Sequence, residues 1–206
     1  MSLQVLNHPL ASHLLAALRD KETPPAQFRT LANNLTKLLA IQATYGMRTA
    51  DCEVETPIKK TACRKLDQPL AVVPVLRAGL GMLEPIVQLF PEVAVGYIGL
   101  ERHHDTAIAR SYYSKLPRLE GAYCLCVDPM LATGGSAAQA IALMKAHGAQ
   151  QITMVCVVAA PEGVRKLQEA HPEVPIVAGA LDESLNDQKY IVPGLGDFGD
   201  RLYGTM

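Results

Sequence analysis

The amino-acid sequence predicts an α/β fold in which a doubly wound, mainly parallel sheet follows N-terminal helices. Two observations support this fold class. Short runs of branched apolar residues alternate with stretches of helical spacing, and turn residues bound each run, as in buried parallel strands joined by helices. Ligands bind beyond the carboxyl ends of the strands in such sheets, so the residues after each strand are the first candidates for a functional site.

The N-terminal part, residues 1–50, is predicted to be helical. Pro24 and Pro25 suit the first turn of a helix, and the apolar residues that follow at helical spacing are Phe28, Leu31, Leu35, Leu38 and Leu39. Residues 52–65 mix charges with Thr56 and Pro57 and have no period, so they predict a connection or an irregular arm.

The rest of the chain carries the alternating pattern. Strands are predicted at residues 71–76, 93–100, 122–127, 152–160 and 175–180. The intervening helices are predicted at residues 81–90, 136–147 and 161–171, and Gly148 suits the C-terminal end of the second.

Composition restricts the class of protein. The chain has 206 residues, 49% hydrophobic and 19% charged, with a net charge of -1, which predicts one globular domain over residues 1–206. Scattered lysines and arginines predict no nucleic-acid partner. The chain has no run of about 18 apolar residues and no signal-peptide pattern, which predicts a cytoplasmic location and no membrane partner.

The five cysteines give no sign of a disulfide framework or a zinc site, because their number is odd and C-x-x-C spacing is absent. Cys124 and Cys126 are expected to share one face of a buried strand, where packing is favoured over a redox role.

The first candidate for binding follows the strand at 122–127. It runs from Asp128 to Ser136 and places an acid, a small-residue loop and a helix N-terminus in sequence. Gly134 and Gly135 let the backbone approach an anion closely, and Thr133 and Ser136 add hydroxyl groups, so the loop fits a sugar phosphate. A plain strand-end turn with a helix cap remains the alternative.

Two further segments are candidates. After the first strand, Arg77 and the backbone N–H groups near Gly79 could meet a second anion. The alternative is that Arg77 is a surface arginine that caps a helix. Residues 191–198 include Pro193, Gly194 and Gly196 and could present backbone groups to a small planar ligand, or they could form a tight surface turn.

These motifs together resemble a known family. Val127-Asp-Pro-Met-Leu-Ala-Thr-Gly-Gly-Ser136 is similar to the phosphoribosyl-diphosphate (PRPP) signature of the type I phosphoribosyltransferases, in its uracil phosphoribosyltransferase version. Pro129 stands where other members usually have a second acid. The resemblance covers nearly the whole chain and includes the segments at residues 8–10, 55–57, 73–82, 159–163 and 190–200.

The resemblance implies the type I phosphoribosyltransferase fold with a flexible lid hairpin, and the conversion of uracil and PRPP into UMP and diphosphate. It implies a catalytic set of Asp128, Arg77, Arg102 and Asp197. The implied PRPP-binding residues are Arg77, Ala78, Gly79, Arg102, Asp128, Pro129, Met130, Leu131, Ala132, Thr133, Gly134, Gly135, Ser136 and Asp197. The implied uracil-binding residues are Ile191, Gly196, Asp197 and Phe198, within a base-binding segment at 181–206.

Further implications concern partners. Mg²⁺ is the implied cofactor, held mainly by PRPP and water and not by a protein metal site. GTP is a candidate activator, and a homodimer or higher homo-oligomer is expected. In the predicted lid, His103 and His104 follow Arg102 where the family usually has acidic residues. That departure leaves room for one rival, a PRPP- or nucleotide-sensing regulator on the same fold. A second rival is a phosphoribosyltransferase for another base, whose base-reading segment would be expected to differ from residues 190–200.

Overall fold

The structure, a computed structural model, describes residues 3–102 and 109–205. Its helices are α1 (Pro9–Arg19), α2 (Pro25–Ala43), α3 (Leu80–Leu89), α4 (Gly135–Ala146), α5 (Pro161–Ala170) and α6 (Phe198–Tyr203). Its strands are β1 (Leu3–Val5), β2 (Thr49–Glu55), β3 (Lys60–Leu66), β4 (Leu70–Leu76), β5 (Ala94–Val95), β6 (Tyr97–Arg102), β7 (Ala109–Lys115), β8 (Tyr123–Val127), β9 (Met130–Leu131), β10 (Gln151–Ala159), β11 (Ile176–Leu181), β12 (Ser184–Leu185) and β13 (Ile191–Val192).

The main sheet runs in the order β1-β11-β10-β8-β4-β6-β7, with short β5 beside β4 and β9 beside β10. Its pairs are parallel except for β6 and β7, which form an antiparallel hairpin at one edge. The predicted α/β class and the hairpin are therefore confirmed. The lid was predicted at residues 101–117, and its part from 103 to 108, with His103 and His104, lies outside the described residues.

Each face of the sheet supports its own hydrophobic core. Helices α1, α2 and α3 pack with strand residues such as Val72 and Leu125 on one face, and α4 and α5 pack with Val73 and Cys126 on the other. Because neighbouring residues of a strand point to opposite faces, a continuous apolar run supplies both cores. Cys124 lies on the same face as Cys126, as predicted.

Two segments differ from the prediction. The run at 93–100 is not one strand: β5 and β6 are separated at Gly96, whose N–H donates to Val72 O at 2.9 Å. Residues 52–65, predicted to be a connection or an irregular arm, instead belong to an antiparallel hairpin of β2 and β3. This hairpin is largely exposed, so its strands lack the apolar run of a buried strand.

None of the helices among the described residues combines the length and hydropathy that crossing a bilayer requires.

Candidate active site

A cavity of about 430 Å³ lies where the loops after β4 and β8 meet the C-terminal segment. Its position at the carboxyl ends of parallel strands agrees with the place expected for a ligand. The lining residues are Ala78, Asp128, Met130, Leu131, Ala132, Thr133, Gly134, Ser136, Ala137, Gln188, Lys189, Tyr190, Ile191, Gly196, Asp197, Phe198 and Gly199.

Strand β10 holds the first half of the loop after β8 through backbone hydrogen bonds. Met130 and Leu131 form β9, which pairs in parallel with Val158 and Ala159. The carbonyl of Pro129 accepts from the N–H groups of Val157 and Val158 at 2.9 and 3.0 Å. The first half of the loop is therefore an ordered extension of the sheet, and its carbonyls are used internally.

The second half of the loop turns into α4 at Gly134. This residue is the N-cap of the helix with φ 77°, and no side chain caps the first turn. A Cβ at Gly134 would lie 2.6 Å from the carbonyl oxygen of Gly163 in α5, so the loop packs directly on another backbone. The uncapped N–H groups at the start of α4, beside Ser136 and Ala137 of the cavity wall, are the kind of group that binds a phosphate.

Asp128 brings a negative charge to the cavity wall. Its carboxylate is half-buried at the end of β8, and Oδ1 accepts from Met130 N at 3.4 Å.

The buried cysteines near Asp128 have raised pKa values. Burial raises the pKa of the Cys126 and Cys156 thiols, and the charge of Asp128 raises both pKa values further. Burial alone raises the pKa of Cys124 to about 11. These thiols stay protonated at neutral pH, which agrees with packing and not with redox chemistry.

The loop after β4 contributes less to the cavity wall than predicted. Ala78 lines the cavity, whereas Arg77 is exposed beside it and its carbonyl accepts from the Tyr203 hydroxyl at 3.3 Å. The Leu76-Arg77 peptide is cis. At Gly79 a Cβ would lie 2.6 Å from the carbonyl oxygen of Val127, so glycine allows the ends of β4 and β8 to approach each other.

The C-terminal segment forms the opposite wall. Gly196 has φ 81°, and Asp197 caps α6 by accepting from Asp200 N at 2.9 Å through Oδ1. Phe198 is buried, with its ring centroid 5.1 Å from that of Phe28 in α2. Phe198 therefore anchors the segment to the core as well as bordering the cavity.

The cavity thus brings together most of the residues predicted for PRPP and the base. Those that do not line it are Arg77, Gly79, Pro129 and Gly135. Arg102 ends β6, and its side chain lies outside the described part of the structure.

Sequence reasoning included Gln188, Lys189 and Tyr190 only within the broad base-binding segment at 181–206. It did not identify the turn between β12 and β13, where these three residues line the cavity. The turn is closed by Asn186, whose carbonyl accepts from Lys189 N and whose side chain accepts from Tyr190 N, both at 2.9 Å. Asn186 and Asp187 are turn-forming residues and were the available signal.

A divalent cation would find hard oxygen ligands in the cavity from Asp128 and Asp197. Within residues 3–102 and 109–205, no group of three or more His, Cys, Asp or Glu side chains is placed to hold a metal ion. This donor set fits Mg²⁺ that is bound chiefly by substrate oxygens and water.

The parallel sheet, the phosphate-type loop after β8 and the shared cavity together define a type I phosphoribosyltransferase. In agreement, the fold is similar to a hypoxanthine-guanine phosphoribosyltransferase from Bacillus anthracis, with a TM-score of 0.52 at 10% identity over 75% of this chain and 79% of that one. The family model for uracil phosphoribosyltransferase matches residues 5–205, and the chain belongs to that family.

Individual relatives agree over nearly their full lengths. The chain is 50% identical to uracil phosphoribosyltransferase from Symbiobacterium thermophilum and 51% identical to that from Finegoldia magna, in both cases over 98% of this chain and 97% of the relative. AQ2163 protein from Aquifex aeolicus has a TM-score of 0.93 at 38% identity, with 98% of each chain covered.

Proposed function

We propose that the protein transfers the phosphoribosyl group of PRPP to uracil and releases UMP and diphosphate. The observation that carries this proposal is a cavity in which an uncapped helix N-terminus and Asp128 face a glycine-containing segment from the C-terminal part of the chain. Membership of the uracil phosphoribosyltransferase family supports the same reaction.

In this proposal the loop after β8 binds the ribose 5-phosphate through the N–H groups at the start of α4. Asp128 accepts hydrogen bonds from the ribose hydroxyls, and these bonds strengthen as the sugar gains positive charge. Arg77 and Arg102 bind the departing diphosphate with charge-assisted hydrogen bonds. Catalysis is then mainly positioning and electrostatic stabilisation.

When bound, Mg²⁺ would neutralise charge on the diphosphate oxygens. Asp128 and Asp197 are the side chains that would hold the metal ion, either directly or through bound water. Since Oδ1 of Asp197 caps α6, its Oδ2 atom is the group proposed to receive the proton from N1 of uracil, directly or through water.

The base is read by backbone groups of the segment from Ile191 to Phe198. Uracil presents two carbonyl acceptors and an N3–H donor, whereas cytosine replaces O4 with an amino donor and N3–H with a lone pair. Both complementary bonds would fail together with cytosine, which would be rejected by about 10⁴ or more. Halogens at C5 leave the pattern intact, so 5-fluorouracil is an expected substrate.

Formation of UMP from PRPP with uracil, cytosine, 5-fluorouracil and hypoxanthine, each supplied separately, tests the proposal. The expected result is turnover of uracil and 5-fluorouracil alone. Binding of PRPP or UMP without turnover of any base would identify a regulator instead. Turnover of cytosine comparable to that of uracil would refute the backbone reader, and a preference for hypoxanthine would identify a different phosphoribosyltransferase.

The proposal extends to three properties that stay predictions: a cytoplasmic location, a homodimer or higher homo-oligomer, and activation by GTP. Titration of initial rate with GTP tests the last, and light scattering of the purified protein tests the second.

A further inference from the structure

A partly buried ion pair lies behind the segment proposed to read the base, with the Arg19 side chain 26% exposed and that of Asp182 4% exposed. Asp182 follows β11 directly and is 8% exposed, and Arg19 is the last residue of α1. The guanidinium and the carboxylate meet in a fork, with Nη2 2.5 Å from Oδ1 and Nη1 2.8 Å from Oδ2. Such bidentate pairs fix direction as well as distance.

The ion pair holds both backbone groups of Gly194. The N–H of Gly194 donates to Asp182 Oδ2 at 2.8 Å, and Arg19 Nη1 donates to the Gly194 carbonyl at 2.6 Å. Gly194 has φ 61°, a left-handed conformation that favours glycine. One residue of the segment is therefore bound at two points to side chains from two distant parts of the chain.

A second arginine holds the next carbonyl. Arg201 Nη1 donates to the Leu195 carbonyl at 2.8 Å, and the same guanidinium donates to the carbonyls of Leu18 and Asp20 near the end of α1. It also lies 4.5 Å from the centre of the Phe28 ring. Arg201 thus ties the segment to the C-terminal end of α1.

These contacts divide the segment into two parts. Gly194 and Leu195 direct their polar groups toward Asp182 and the two arginines and do not line the cavity, whereas Gly196, the next residue, does line it. Among the described residues the backbone N–H and C=O of Gly196 make no hydrogen bond. The anchored part thus fixes the place and orientation of the part that remains available to a ligand.

We infer that Asp182 and Arg19 are positioning residues for base recognition. They do not touch the base; they hold Gly194 so that the backbone groups from Gly196 onward meet the carbonyl and N–H pattern of uracil. The inference rests on the proposed function, since it deepens the role of that segment. A charged pair suits this role because loss of Arg19 would leave the buried Asp182 carboxylate without its counter-charge, which disfavours other arrangements of the segment.

The test uses Asp182→Asn, which removes the charge but keeps a side-chain oxygen for Gly194 N, and Arg19→Lys, which keeps the charge but loses the fork. Glu173→Gln is the matched control, because Glu173 pairs with Lys145 away from the segment. KM for uracil, KM for PRPP and kcat are measured for each variant. Calorimetry of PRPP binding checks that the loop after β8 is unaffected.

We expect KM for uracil to rise by about tenfold or more in both variants, as loss of a charged hydrogen bond implies, with KM for PRPP within about twofold of wild type. The ratio of uracil to cytosine turnover should fall as well. The control variant should change neither constant. If Asp182→Asn does not fold, Arg19→Lys alone decides the matter.

An unchanged KM for uracil, or equal rises in both KM values, would overturn the positioning role and show that the ion pair serves general stability. The wild-type protein is assayed first: absence of UMP formation there would count against the proposed function itself and is thereby distinguished from failure of the positioning role.

Discussion

Replacing Gly134 with alanine tests whether the loop at 128–136, which is proposed to bind the ribose 5-phosphate, depends on the contact between this glycine and α5. Two effects are expected from the geometry. A φ of 77° places Gly134 in the left-handed region, which costs an alanine about 1–2 kcal/mol. The added methyl group would lie 2.6 Å from the Gly163 carbonyl oxygen, and overpacking of this kind costs about 1–3 kcal/mol more.

Gly121 provides a matched control. Its φ is 74°, nearly the same as at Gly134, but a Cβ there would meet no atom within 4 Å. Gly121→Ala should therefore lose only the conformational part, about 1–2 kcal/mol of unfolding free energy. Gly134→Ala should lose about 2–5 kcal/mol of unfolding free energy, because the left-handed conformation and the steric overlap with Gly163 both act on it.

The measurements are urea unfolding for stability and calorimetry for PRPP affinity. Because the Gly163 backbone cannot move aside without shifting α5, the loop itself should shift in Gly134→Ala, and PRPP should bind at least about tenfold more weakly. Gly121→Ala should bind PRPP as the wild type does. Equal stability losses in the two variants, with wild-type PRPP affinity in both, would refute the reasoning.

Three other predictions follow from the site and its surroundings. Asp128→Asn should lower turnover by about 30-fold to 1000-fold, which corresponds to about 2–4 kcal/mol of transition-state stabilisation, and a rate within about twofold of wild type would remove Asp128 from the site. Iodoacetamide at pH 8 should modify the native protein only at the two partly exposed thiols; mass spectrometry should find Cys52 and Cys63 labelled and Cys124, Cys126 and Cys156 unlabelled until the protein unfolds. The pKa of Glu162 is lowered because its own backbone N–H and that of Leu185 donate to its carboxylate. The stability that the ionised Glu162 contributes is therefore present above its unfolded pKa and is lost as pH falls through its folded pKa. The difference in unfolding free energy between wild type and Glu162→Gln should shrink with acidification, and a difference independent of pH would contradict this.

The parts of the fold that were predictable are those in which local sequence and burial agree. Strands β4, β8 and β10 are buried on both faces, so each appears in the sequence as a continuous apolar run. The β2–β3 hairpin was not predicted because its strands are mostly exposed and contain no continuous apolar run, with pairs such as Arg64 and Asp51 on its surface. In β2, Ala50, Cys52 and Val54 alternate with polar residues, a period-2 pattern that is typical of a strand and was the available signal.

The same distinction applies to the site. The loop from Asp128 to Ser136 was predictable because its acid, glycines and hydroxyls are contiguous and follow a recognisable strand. The pairing of Arg19 with Asp182 was not, because the two residues are 163 positions apart and each is an ordinary charged residue in its local sequence. A contact between residues that only the folded chain brings together leaves no pattern in the local sequence.

The short strand β1 has a consequence for the sheet edge. Its three residues pair with β11 from Ile176 to Ala178, and the next residue, Leu6, donates its N–H to the Ala178 carbonyl at 2.8 Å. Without this pairing, β11 would present open main-chain hydrogen-bonding groups along an apolar edge, a template for intermolecular strand addition. With β1 in place the sheet instead ends in a strand of only three residues, which offers an approaching strand few main-chain partners.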